Sequence, residues 1–138
     1  MENELSIIRL DAELKGESPA FPEELSVSHP QAIADQMAIF HAREQQQNAE
    51  MGLLQSQYEQ RSREVEELTG RKRQTERSLA LAVEQRNIAA PLMQRKIYSR
   101  VDYLGLEQKV VSLQGDIESL ASSIPKAQAA AEEAKQRL

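Results

Sequence analysis

With 138 residues, 40% of them hydrophobic and only 4% aromatic, the chain has the length of one domain but too little apolar mass for a broad globular core. Cysteine is absent, which excludes a disulfide framework, a thiolate nucleophile and a cysteine metal site while leaving the redox compartment open. The net charge of −5 matches the balance of residues 1–25 alone, where seven acids face only Arg9 and Lys15; an overall negative charge and an aromatic content of only 4% argue against nucleic acid as a partner.

Richness in Ala, Glu, Gln, Leu, Arg and Ser, with sustained periodicity, predicts long helices held by a narrow seam. The first helix spans about residues 4–15, with Leu5, Ile8, Ala12 and Leu14 on one face and Gly16 as its C-terminal cap. A connector over 16–28 follows; Glu23-Glu24-Leu25 fits one turn after Pro22, and Phe21 and Leu25 are expected to pin this loop to the base. Ser28, Pro30 and Gln31 form a helix start signal, with Ser28 as cap and Gln31 completing a capping box.

The long second helix then runs over about 29–96, on the order of 100 Å at 1.5 Å per residue. Its apolar ladder takes in Ile33, Met37, Phe40, Met51, Leu54, Tyr58, Val65, Leu68, Leu79 and Ala82, interrupted by Glu44, Gln47, Arg61, Lys72 and Thr75. Ion pairs at i,i+4 such as Glu59 with Arg63 and Glu67 with Arg71 support the interrupted stretch, each by tenths of a kcal/mol. Gly52 and Gly70 cost roughly 1 kcal/mol each relative to Ala and predict local flexibility without chain reversal.

Pro91 loosens the helix just before a turn at 97–99, and Ser99 caps a third helix over about 100–138. That helix carries an unbroken ladder from Tyr103 through Leu106, Val110, Leu113, Ile117, Leu120, Ile124, Ala127, Ala131 and Ala134 to Leu138. Pro125 should bend it while the ladder keeps phase from Ile124 to Ala127. Two ladders entering one turn from opposite sides predict an all-α fold: a long antiparallel coiled-coil helical hairpin with a short additional N-terminal helix packed at its base. Joined by a loop of about 12 residues, the first helix should lie antiparallel to the start of the second, around Ile33 to Phe40. The third helix, folded back, covers the second as far as about residue 57. Ending within a strong ladder, the sequence reads as a portion of a longer protein.

Catalytic chemistry finds no foothold. The two histidines, His29 and His41, lie 12 residues apart in unlike settings, and no phosphate loop, nucleophile elbow or HExxH pattern occurs. No enzymatic activity, no cofactor and no metal are therefore expected. No segment is apolar for the length of a membrane span, and the acidic start is unlike a signal peptide, so no membrane contact by this chain is expected. Recognition by surface remains. Leu92, Met93, Ile97 and Tyr98 bunch at the turn beside Arg86, Arg95, Lys96 and Arg100, with no acid between Gln85 and Val101. They either plug the end of the coiled coil or form a docking head with an apolar centre and a cationic rim.

The turn Pro91-Leu92 through Ser99-Arg100-Val101 and Leu104, followed by Leu106-Glu107 and the Leu113-x-Gly115 step, resembles the helical hairpin of HlyD-type periplasmic adaptors, also called membrane fusion proteins, of type I secretion systems. Arg9-Leu10-Asp11-Ala12-Glu13 is similar to the Arg-Leu-x-Ala-Glu element that precedes the long helices in that family. The resemblance implies an adaptor that links an inner-membrane ABC transporter to a TolC-type outer-membrane channel for protein secretion, works as a hexamer in the periplasm, and belongs to a parent protein anchored in the inner membrane. It implies channel docking through the tip, with Leu92 and Ser99 at two positions of an Arg-x3-Leu-x6-Ser pattern. Ile88 stands where that arginine would be, so Arg86, Arg95 or Arg100 are its possible replacements, and Lys96 joins the tip set. Two further readings stay open: a structural coiled-coil dimerisation or tethering module, and the adaptor of a drug-efflux pump.

Overall fold

The computed structural model describes residues 2–138 and is all-α, with α1 (Glu2–Lys15), α2 (Glu23–Ser28), α3 (Pro30–Gln94) and α4 (Arg100–Gln136). Among the described residues there is no strand. The chain divides into two compact units, Met1–Leu53 and Leu54–Leu138.

In the first unit, α1 buries Leu5, Arg9 and Ala12, which share one face at helical spacing. Leu14 does not join them: two residues beyond Ala12 it points to the other side of the helix and is exposed, with Ile7 and Leu10. Gly16, at φ +70°, ends α1 by donating to the Glu13 carbonyl (3.3 Å) while Glu17 donates to Ala12 (3.0 Å), the two bonds of a Schellman motif.

The direction of α1 differs from the expectation. Arg9 Nε donates to Gln36 Oε1 at 2.8 Å, and Arg43 reaches Glu13 Oε2 at 3.3 Å. The partners are 27 and 30 residues apart, so numbers rise together on both helices and α1 runs parallel to the start of α3. A hairpin turn would give antiparallel neighbours. Here the stretch from Glu17 to Pro22, held extended in part by Pro19 and Pro22, and the six-residue α2 carry the chain back before α3 begins.

The start of α3 also differs. Ser28 is the last residue of α2, and its hydroxyl donates to the Glu24 carbonyl at 2.8 Å, so it caps nothing. Gln31 turns its amide to Asp35. His29 takes the cap position through its backbone, its carbonyl accepting from Ile33 N at 3.2 Å, with Pro30 as first helical residue. Phe21 and Leu25 are half-buried and Phe40 is buried, whereas Met51 stays exposed despite its ladder position. The groove at the end of α1, lined by Gly16, Phe40, Glu44 and Gln47, stops short of it.

The second unit is the hairpin formed by α3 from Leu54 onward and α4. Arg61 shares a groove with Ala134 and Arg137, Val65 with Gln128 and Ala131, and Ala89 with Leu106, so position falls on α3 as it climbs on α4. This is antiparallel packing, and α4 reaches back to Gln57. The α4 ladder faces inward along its length: Val110, Leu120 and Ala127 are buried, and the other ladder residues from Tyr103 to Ala134 are half-buried. Within this unit the buried residues of α3 are Ala82 and Ala89, both near the tip, where small side chains let the two backbones approach closely. Lys72 and Thr75 stand half-buried at seam positions, and Thr75 satisfies its hydroxyl on the Arg71 carbonyl at 2.8 Å. Exposed pairs Arg63 with Glu59 and Arg71 with Glu67 flank this stretch. Both prolines are exposed and both helices continue through them: α3 ends three residues beyond Pro91, at Gln94, and α4 passes Pro125 with Ala127 still buried.

Candidate functional site

The turn of the hairpin is built by a second Schellman motif, this time without glycine. Ile97 N donates to the Leu92 carbonyl at 2.9 Å and Lys96 N to that of Met93 at 2.9 Å, which places Lys96 at the left-handed position with φ +60°. Tyr98 N also donates to the Leu92 carbonyl, at 3.2 Å. Two residues later α4 begins. Ser99 is its N-cap, extended at φ −66° and ψ 134°, with Oγ accepting from Asp102 N at 3.5 Å, and Asp102 adds an acid to the first turn. α3 therefore ends two residues earlier than its sequence pattern suggests, and the turn takes in 95–99.

Around this turn the side chains divide between two grooves, with Tyr98 lining both. Ile88 and Leu92 lie in one, beside Gln85, Ala89 and Leu106, and no charged residue lines it. Lys96 and Arg100 lie in the other, with Met93, Tyr103, Leu104 and Glu107. Arg95 and Ser99 line neither: Arg95 is exposed in the turn directly after α3, and Ser99 serves as the cap. The six tip residues singled out by sequence thus fall into two pairs and two single positions.

Exposure adds Val101 and Leu104 to Ile88 and Ile97, which the sequence pattern already placed at the tip. Ile97 is 71% exposed, Val101 77%, Ile88 61% and Leu104 50%, an unusual density of bare aliphatic surface for one helix end. Val101 and Leu104 lie off the heptad ladder, and that is the signal which could have found them: apolar residues adjacent to a turn that the seam does not use.

Electrostatics differ between the two sides. Among the described residues Arg95, Lys96 and Arg100 make no ion pair, while eight other cations of the chain do, beside one His–Glu contact. Glu107 accepts a hydrogen bond from the Tyr103 hydroxyl at 3.1 Å. That bond, with lesser contributions from desolvation and the Glu107 charge, raises the Tyr103 pKa above 10, and Arg86 opposes the rise. The two grooves thus present one apolar and one mainly cationic surface at the tip.

The Arg-Leu-x-Ala-Glu element acquires a structural meaning in the first unit. Arg9 Nη1 bonds Glu13 Oε1 at 2.9 Å one turn away, Glu13 Oε2 bonds Arg43, and Ala12 is small enough to be buried between the helices. Its arginine and glutamate clamp α1 to α3. They lie in a different unit from the tip residues.

No curated protein and no solved structure matches the sequence. A family described as AprE, long alpha-helical hairpin, matches over residues 2–138, taking in the clamp, the seam and the turn. On that match, and with an all-α hairpin to go with it, the chain belongs to the AprE long alpha-helical hairpin family.

Proposed function

We propose that this chain is the helical hairpin of a periplasmic adaptor for type I protein secretion, which docks through its tip onto a TolC-type outer-membrane channel while the parent protein engages an inner-membrane ABC transporter. The family match supports a secretion-adaptor role, since AprE is a membrane fusion protein of type I secretion. The observation that carries the docking role is the tip itself, where Ile88, Ile97, Val101 and Leu104 are exposed together beside Arg95, Lys96 and Arg100. An aliphatic centre with a cationic surround is the composition of a protein-binding surface. The seam of α3 and α4 holds it at the end of a stiff pair of helices.

The test is secretion by the full-length adaptor carrying Ile97→Glu and Val101→Glu. Both side chains are largely exposed, so helicity and thermal unfolding of the purified protein should match the wild type. Secreted substrate in the medium should fall at least tenfold. Normal secretion by a stable double variant would remove the tip from the docking role.

A further inference from the structure

The two grooves at the tip differ in charge as well as in position. The Ile88–Leu92 groove is lined by no ionisable side chain except the Tyr98 phenol, and that residue lines both grooves. The other groove holds two cations, Lys96 and Arg100, and one carboxylate, Glu107, which is engaged by the Tyr103 hydroxyl. Its formal balance is a single positive charge. One carboxylate would neutralise it, whereas a nucleic acid or an anionic bilayer calls for an extended basic surface.

Lys96 adds a second, independent observation. It occupies a left-handed backbone position that glycine adopts without penalty, and it is the one non-glycine residue with positive φ among the described residues. Its side chain is exposed and, among the described residues, makes no ion pair or hydrogen bond. The two Schellman bonds hold the backbone there, and they leave the Lys96 ammonium beside the groove without a partner on its own chain among the described residues.

We infer that the tip is two-sided: an acidic side chain on the helical end of the partner protein enters the groove of Lys96, Arg100 and Leu104, and an aliphatic side chain enters the groove of Ile88 and Leu92. The inference rests on the docking reading above and adds the partner's chemistry and a fixed rotational setting. Because the two grooves meet at Tyr98 and differ in charge, a partner seated in the reverse sense sets its carboxylate against Ile88 and Leu92 and leaves Lys96 and Arg100 uncompensated.

The experiment places the photoreactive residue p-benzoylphenylalanine at Leu104 or at Ile88 of the full-length adaptor in secreting cells, and maps the crosslinked channel peptides. Both positions are half or more exposed and tolerate the probe. From Leu104 the crosslinks should fall within one helical turn of an Asp or Glu of the channel, and from Ile88 on a different, apolar segment. Lys96→Glu with Arg100→Glu should lower the Leu104 yield at least tenfold, Lys96→Arg with Arg100→Lys should keep it within about twofold, and a Lys placed at the mapped channel acid should restore capture by the charge-reversed adaptor. Capture from both sites on one shared segment, or charge reversal without effect, overturns the two-sided tip while leaving docking in place. No channel capture from either site overturns the docking reading and this inference with it.

Discussion

Replacing Lys96 by glycine should make the hairpin more stable, which is the reverse of what substituting glycine into a helical protein usually does. Lys96 sits at φ +60° between two good hydrogen bonds, Lys96 N to Met93 O and Ile97 N to Leu92 O, both 2.9 Å. A left-handed conformation costs an L-residue roughly 1–2 kcal/mol, which glycine escapes. Against this, glycine adds freedom to the unfolded chain, worth about 0.4–1 kcal/mol. The exposed lysine side chain makes no internal bond to lose, so the net gain is about 0.5–1 kcal/mol. Urea unfolding followed by circular dichroism at 222 nm should show a higher midpoint with an unchanged slope. Lys96→Val should move the midpoint the other way, since a β-branched residue fits the left-handed region worst. A lower midpoint for Lys96→Gly would refute the claim that the turn is strained. The same variant should dock less well, so stability and function should part at this one residue.

Two further outcomes follow from the bonding already described. Arg9→Ala removes a buried guanidinium that serves both Gln36 and Glu13 and should cost about 3 kcal/mol, whereas Arg43→Ala, half exposed, should cost under about 1 kcal/mol; amide hydrogen exchange within α1 separates the two. The Tyr103 pKa, raised chiefly by its hydrogen bond to Glu107, should drop back toward 10 in Glu107→Gln, as followed by phenolate absorbance. Since the folded value lies above the unfolded one, this group's stabilising contribution is complete below pH 10 and is lost as pH climbs through the raised value.

The parts of the fold that the sequence made legible are those set by regular repeats. The eleven ladder positions from Tyr103 to Leu138 needed only helical geometry, and from Tyr103 to Ala134 they turn inward, with Val110, Leu120 and Ala127 buried. The errors cluster where a single hydrogen bond or one linker conformation decides. Ser28 has the chemistry of a cap, but a preceding helix claims its hydroxyl for the Glu24 carbonyl, and no local pattern distinguishes those uses. The direction of α1 depends on whether residues 17–29 turn sharply or return along the helix, which Pro19 and Pro22 bias without fixing. At the tip, a lysine in the position usually held by glycine hid the end of α3. The six tip residues were recognised as a group because they are close in sequence. Their division between two sides required knowing where Tyr98 lies.

The parallel course of α1 gives the acidic start of the chain an electrostatic task. Two helices running side by side in one direction bring their positive poles together, each equivalent to roughly half an elementary charge. α3 has no acid in its own first turn, and the offset of about 27 residues sets Glu4 level with its opening residues. Glu4 therefore lies where two like ends of peptide dipoles would otherwise repel, and a basic affinity tag fused before α1 would weaken its grip on α3.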